Sequence, residues 1–252
     1  MSPLATLPLL IGHRGARDDA PENTLAGLRE AARQGAAWVE IDVTLSRDGV
    51  PILMHDDDLD RTTDGQGPVN DRDWAEISRL DAGRWFGPAF AGEPVPSLAT
   101  YLTLVLHLGL GINLEIKPCA GRDAETAARA LDVARSIWPA MRPPPLISSF
   151  SVASLKAARD LAADWPRGYL METLADPWSI VADEIGALAL HIDHEELDAA
   201  KVAAIQRTGR KVLAYTVNDV ARARLLFDWG VAALFTDRPA ALAAGLGSGS
   251  GA

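Results

Sequence analysis

A chain of 252 residues, 48% hydrophobic and 23% charged, can bury a sizeable core, either as one β/α barrel or as two small domains. Its formal net charge of −10 repels polyanions and anionic membranes, so nucleic-acid and membrane partners are set aside and any anionic substrate needs local cations or a metal. A lone cysteine, Cys119, excludes an intramolecular disulfide and thiolate-held metal clusters, and fits a reducing, cytoplasmic setting.

Met1 to Leu10 carries no basic stretch followed by a long apolar run, so neither a signal peptide nor a membrane span is expected. The first strand-like run is Leu9 to His13. Pro21-Glu22-Asn23-Thr24 then announces a helix over Thr24 to Gln34, capped by Asn23 or Thr24; the alternative turns Asn23 towards a site on this loop. Strand Trp38 to Leu45 follows, and Asp48-Gly49 is a hairpin turn signal that joins it to a further strand, Val50 to His55. From Asp56 to Ser97 the chain is polar, rich in Gly and Pro, and punctuated by Trp74, Trp85, Phe86 and Phe90. It is too long for a connector and reads as an inserted cap.

Helix Leu98 to Leu108 leads into strand Ile112 to Lys117, and helix Ala124 to Trp138 into strand Leu146 to Phe150. Helix Val152 to Ala162, strand Gly168 to Met171, strand Ala187 to Asp193 and helix Asp198 to Arg207 continue the alternation. It closes with strand Val212 to Val217, helix Val220 to Trp229 and strand Ala233 to Thr236. Setting the hairpin strand aside leaves eight strands, which fit an α/β fold of the (β/α)8 TIM-barrel type, with an open doubly wound sheet as the alternative. Residues 1–244 form the expected single domain, and the Gly/Ser/Ala tail from Gly245 to Ala252 is expected to be flexible.

Side chains alternate across a strand, so Glu40 and Asp42 share one face while Val39, Ile41 and Val43 take the other. The outer face of a barrel strand lies under helices and takes the branched aliphatics, which turns both acids inward. Strand Ile112 to Lys117 repeats the arrangement, with Asn113, Glu115 and Lys117 opposite Leu114 and Ile116. Three inward carboxylates repel one another unless a hard divalent cation, Mg²⁺ or Ca²⁺, takes their oxygens. The alternative is that each acid pairs with a cation such as Arg14 or Lys117.

His13, in Gly12-His13-Arg14-Gly15, and His55, in Met54-His55-Asp56, sit where the catalytic loops of a barrel begin. Two imidazoles on either side of a substrate serve as base and acid near neutral pH. Arg14 suits bidentate phosphate recognition and Lys117 supplies a second cation, unless Arg14 only neutralises Glu40 or Asp42. A non-catalytic metal- and phosphate-binding barrel would have no use for the two histidines. A metal-dependent sugar isomerase would have no use for the His-Arg pair.

These residues resemble those of the glycerophosphodiester phosphodiesterases, most closely the bacterial cytoplasmic type associated with glycerol 3-phosphate uptake. The motifs that carry the likeness begin with Gly12-His13-Arg14-Gly15, Pro21-Glu22-Asn23-Thr24, Glu40-Ile41-Asp42, Ser46-Arg47-Asp48-Gly49 and His55-Asp56. They continue through Leu59-Asp60-Arg61-Thr62-Thr63, Asn113-Leu114-Glu115-Ile116-Lys117-Pro118, Ser148-Ser149-Phe150, Tyr215-Thr216-Val217-Asn218 and Thr236-Asp237. The resemblance implies a TIM barrel with a cap inserted after the second strand. It implies metal-dependent hydrolysis of sn-glycerol-3-phosphodiesters, such as glycerophosphocholine and glycerophosphoethanolamine, to an alcohol and sn-glycerol 3-phosphate. In that scheme His13 and His55 are the acid/base pair, and Glu40, Asp42 and Glu115 hold one divalent metal. Arg14 and Lys117 contact phosphate, and Phe150 and Tyr215 line the substrate pocket.

Tyr215 stands where many family members carry Trp, a difference that bears on the leaving alcohol. His191, in Leu190-His191-Ile192-Asp193-His194, is also similar to the closest subgroup; parity turns it and Asp193 inward in a structural or pocket-lining role. His107, inside a helix, is given no function. A lysophospholipase D or a phosphoinositide-type phospholipase C on the same barrel would need a basic or apolar lipid-facing surface that the sequence does not offer. The oligomeric state stays open.

Overall fold

The computed structural model describes residues 4–247, and within them the strand–helix alternation closes into a barrel. The strands are β1 (Leu10–Gly12), β2 (Trp38–Leu45), β3 (Pro51–Leu53), β4 (Gly111–Ile116), β5 (Leu146–Ser149), β6 (Arg167–Met171), β7 (Ala189–Asp193), β8 (Lys211–Tyr215) and β9 (Ala233–Thr236). Their order is β1-β9-β8-β7-β6-β5-β4-β2-β3, and β1 also pairs with β2. That last pairing closes the sheet, which rules out the open alternative. Every barrel pairing is parallel; only β3, hung on β2 through Leu45↔Pro51 and Val43↔Leu53, is antiparallel. Gly49 makes that hairpin turn with φ +82°, a conformation that favours glycine.

The helices are α1 (Leu25–Arg33), α2 (Trp74–Ile77), α3 (Leu98–His107), α4 (Asp123–Ile137), α5 (Val152–Leu161), α6 (Trp178–Glu184), α7 (Ala199–Gln206), α8 (Val220–Asp228) and α9 (Pro239–Gly247). Three of these escape the sequence patterning for physical reasons. α2 and α6 span too few turns for a 3.6-residue period to register. α9 reads PAALAAGLG and has no polar face to contrast with an apolar one.

α9 extends into the expected tail as far as Gly247. Gly245 lets it pack closely on α8, since a Cβ there would lie 2.4 Å from Val220 Cγ2. The rest of the expected tail, from Ser248, lies outside the described residues. Between β3 and α3 the insertion builds its own small core from Met54, Leu59, Val69, Ile77 and Val95, with Ile52 of β3. Trp85, Phe86 and Phe90 stack edge-to-face at the insertion's surface, with Trp85 39% exposed.

The barrel's outer face is aliphatic, as parity requires: Val39, Ile41, Val43, Leu114 and Ile116 are buried against α3 and α4. Inside, beneath the candidate site, the barrel is filled by Ile11, Trp38, Leu146 and Leu213, with Phe235 of the same cluster reaching the cavity wall. Trp38 fits there because its register partner is Gly111, where a Cβ would lie 2.3 Å from Trp38 Nε1. Gly111→Ala is expected to destabilise the protein by about 1–3 kcal/mol through overpacking, read as a lower denaturation midpoint. An unchanged midpoint would mean that Trp38 relaxes freely.

Candidate active site

Register brings the three predicted acids together. Glu40 pairs with Asn113 and Asp42 with Glu115 across the β2–β4 ladder, so their inward side chains converge. One carboxylate oxygen from each of Glu40, Asp42 and Glu115 lies within 4.8 Å of the others, and all three residues are buried. Glu40 Oε1 and Glu115 Oε1 receive no hydrogen bond from the protein. Burial, then repulsion from Asp42 and Glu115, holds the Glu40 carboxyl well above its ordinary range. Burial and Asp42 likewise push Glu115 up to about 8. Burial also opposes ionisation of Asp42, but Arg14, His55 and Lys117 outweigh it and keep that carboxyl below its usual range. Oxygen donors in this number, with buried lone pairs unsatisfied, suit a hard divalent cation.

His13 follows directly on β1 and His55 comes two residues after the end of β3, and each is backed by a carboxylate. His13 Nδ1 lies 2.7 Å from Asp237 Oδ1, and His55 Nδ1 lies 2.6 Å from Asp56 Oδ1. A carboxylate on Nδ1 fixes the proton there and leaves Nε2 as the working nitrogen. His13 Nε2 stands 4.0 Å from Glu40 Oε2 at the edge of the acidic cluster. Burial lowers the pKa of both imidazoles, against the opposing pull of Asp237 on His13 and of Asp42 on His55. Asp237 is itself held in place by Asn218 Nδ2 at 2.7 Å. Burial would raise its carboxyl, but the hydrogen bond from His13 and the neighbouring positive charge bring it down to about 2.

Arg14 is engaged by acids on two sides. Its Nη1 donates to Glu22 Oε1 at 2.8 Å, its Nε lies 3.1 Å from Asp42 Oδ2, and its backbone N–H donates to Glu40 Oε2 at 3.0 Å. The left-handed backbone of Arg14, φ 50°, aims that N–H into the site. Asn23 has φ 56° and turns its amide to Asp42 Oδ2 at 2.8 Å, while Thr24 takes the capping role by accepting from Gly27 N. The site-facing alternative for Asn23 is the one realised. Lys117 Nζ lies 3.7 Å from Glu115 Oε1.

Arg61, from the insertion, joins the two sides of this network. It donates to both oxygens of Asp56 at 2.6 and 2.9 Å and to both oxygens of Glu22 at 2.9 and 2.8 Å. One guanidinium thus orients the carboxylate behind His55 and the carboxylate behind Arg14. Arg61→Gln is expected to lower kcat roughly tenfold with a smaller change in KM, since supporting groups of this kind are worth about that much. Steady-state kinetics on a variant with an unchanged melting temperature checks this; an unaffected kcat would make Arg61 a surface ion pair only.

His13, Arg14, Glu40, His55, Glu115, Lys117, Phe150 and Tyr215 line one cavity of about 280 Å³ at the barrel mouth, whereas Asp42 lies behind Arg14, outside that lining. Phe150 is 41% exposed and meets Tyr215 edge-to-face at 6.1 Å; the Tyr215 hydroxyl donates to Met171 O at 2.9 Å. Asp237, Arg61, Glu22 and Asn218 take part without having been singled out by spacing. Their only sequence signal was membership of the motifs quoted above. No helix among the described residues is long and apolar enough to cross a membrane.

A closed parallel barrel carrying two carboxylate-backed histidines, three clustered acids and two cations around one cavity has the make-up of a phosphodiester hydrolase. The chain belongs to the glycerophosphoryl diester phosphodiesterase family, whose sequence model matches residues 13–241. It is 32% identical over 241 residues to a glycerophosphodiester phosphodiesterase of Caldanaerobacter subterraneus, covering 93% of this chain and 96% of that one. A phosphodiesterase from Oleispira antarctica, solved with the product sn-glycerol-3-phosphate, superposes with a TM-score of 0.95 at 40% identity, covering 98% of this chain and all of that one. A glycerophosphodiester phosphodiesterase structure from Agrobacterium tumefaciens is 33% identical with a TM-score of 0.77 over 94% of this chain.

Proposed function

We propose that this enzyme hydrolyses sn-glycerol-3-phosphodiesters, glycerophosphocholine and glycerophosphoethanolamine among them, to an alcohol and sn-glycerol 3-phosphate. The reaction depends on a divalent metal and on His13 and His55. The observation that carries the reading is that both histidines, each with Nδ1 on a carboxylate, line the same cavity as Glu40 and Glu115 of the acidic cluster. The product held by the Oleispira antarctica relative is the product expected here.

Glu40, Asp42 and Glu115 hold the metal, Mg²⁺ or Ca²⁺, which when bound supplies positive charge to the phosphate and lowers the pKa of a nearby hydroxyl. Arg14 and Lys117 orient the phosphate, and Phe150 and Tyr215 flank the leaving alcohol. One histidine takes the proton of the glycerol 2-hydroxyl as it attacks phosphorus, and the other gives a proton to the departing alkoxide. The histidines then exchange roles as water opens the cyclic phosphate. The same reading keeps the enzyme in a reducing cytoplasm, where the buried thiol of Cys119 needs no partner.

A coupled assay for sn-glycerol 3-phosphate, run on both substrates with Mg²⁺ or Ca²⁺ and again with EDTA, tests this. Release that EDTA abolishes is the expected result, and no release from either substrate would reject the reading.

A further inference from the structure

Below the reacting groups the cavity ends on a side chain that the proposed chemistry does not use. His191, on β7, is fully buried, and neither of its ring nitrogens has a hydrogen-bond partner. It lines the same cavity as His13 and His55. Asn113 Oδ1, also on that cavity wall, is buried without a partner too, the Asn113 amide nitrogen being taken by Ser148 Oγ at 2.9 Å.

The ring's place is built by its neighbours. Gly168 on β6 leaves the space, since a Cβ there would lie 2.3 Å from His191 Nε2, and Phe235 stands 5.2 Å away ring to ring. Burial pushes the imidazole down to about 3, so it is neutral under working conditions and presents one N–H donor and one acceptor. Leaving both unmet in a buried wall is unfavourable. A hydroxyl, able to donate or to accept, suits whichever of the two nitrogens faces the cavity in either tautomer, whereas a phosphate oxygen or an ammonium group suits only one tautomer.

A phosphodiester has two arms. With phosphorus between His13 and His55, the arm that varies among substrates has to face the open side of the cavity, beside the exposed ring of Phe150. The arm common to all of them fits the closed end. Its 2-hydroxyl stays beside phosphorus, and its 1-hydroxyl reaches deepest.

We infer that His191 is a specificity-determining residue, hydrogen-bonding the 1-hydroxyl of the glycerol arm at the closed end of the cavity. The inference rests on the phosphodiesterase reading above.

The test is choline release, with Mg²⁺ present, from glycerophosphocholine and from its 1-deoxy analogue, 2-hydroxypropyl phosphocholine, which carries a methyl group in place of the terminal hydroxymethyl and keeps the attacking 2-hydroxyl. The wild-type enzyme is expected to prefer glycerophosphocholine by about tenfold or more in kcat/KM. His191→Leu is expected to bring that preference to roughly twofold or less by losing rate on glycerophosphocholine alone. Gly168→Ala, which keeps the imidazole but displaces it, should reduce the preference as well. Equal wild-type rates on both compounds would overturn the inference even if neither variant folds, and so would a folded His191→Leu that keeps the wild-type preference. No choline release from glycerophosphocholine itself would instead defeat the phosphodiesterase reading, and the inference with it.

Discussion

Alanine at His13 or at His55 is expected to lower turnover of a glycerophosphodiester by about 10²-fold or more while leaving the melting temperature close to wild type. Both imidazoles present Nε2 to the cavity because Asp237 and Asp56 occupy their Nδ1 atoms, so neither can stand in for the other on its side of the phosphorus. Asp237→Asn keeps the shape but removes the charge that fixes the His13 tautomer, and a loss of roughly tenfold or more is expected from it too. Burial pushes both histidine pKa values down from the ordinary 6.5, against the pull of Asp237 on His13 and of Asp42 on His55. On the acid side kcat/KM should therefore fall only as pH drops below that ordinary value, when the base takes up its proton. A wild-type rate in either alanine variant would remove that histidine from the mechanism.

How far this site is legible from sequence depends on how far apart its members lie along the chain. The period of two within a strand places Glu40, Asp42 and Glu115 inward without reference to any other element, and register then makes them meet. Asp56 is adjacent to His55 and visible beside it. Asp237 is 224 residues from His13, and nothing in either segment says that they touch. The contact exists because β9 closes against β1, with His13 N–H donating to Thr236 O at 2.8 Å. Arg61 is hidden for a related reason: its partners Glu22 and Asp56 belong to different loops, brought together by the barrel and the insertion jointly. Arg14 reads equally well as a phosphate ligand or as a partner for an acid. The structure gives it acids at Nη1 and Nε, and its proposed phosphate contact has to be made from within that network.

The metal is expected to leave its mark on stability as well as on rate. In the metal-free protein Glu115 titrates near 8 and Glu40 well above the ordinary carboxylate range, so the folded state holds protons that the unfolded chain has already released. Folded-state pKa values raised in this way make stability fall as pH rises, from the unfolded value near 4.5 up to the folded value. The histidine shifts act in the opposite direction but only below about 6.5, and the lowered pKa of Asp42 acts below 3.8, so a comparison between about pH 7 and about pH 8.5 isolates the two glutamates. With EDTA the melting temperature should drop across that interval. Mg²⁺ or Ca²⁺ should raise it in a concentration-dependent way, and more at the higher pH, because the cation binds the ionised cluster of the folded state alone. Glu115→Gln removes one charge from the cluster and is expected to abolish turnover while making the EDTA-treated protein more stable at pH 8.5 than its parent. A melting temperature that ignores both pH and metal over this range would show that Glu40, Asp42 and Glu115 are neutralised by the protein alone, with Arg14 and Lys117 sufficient as their partners.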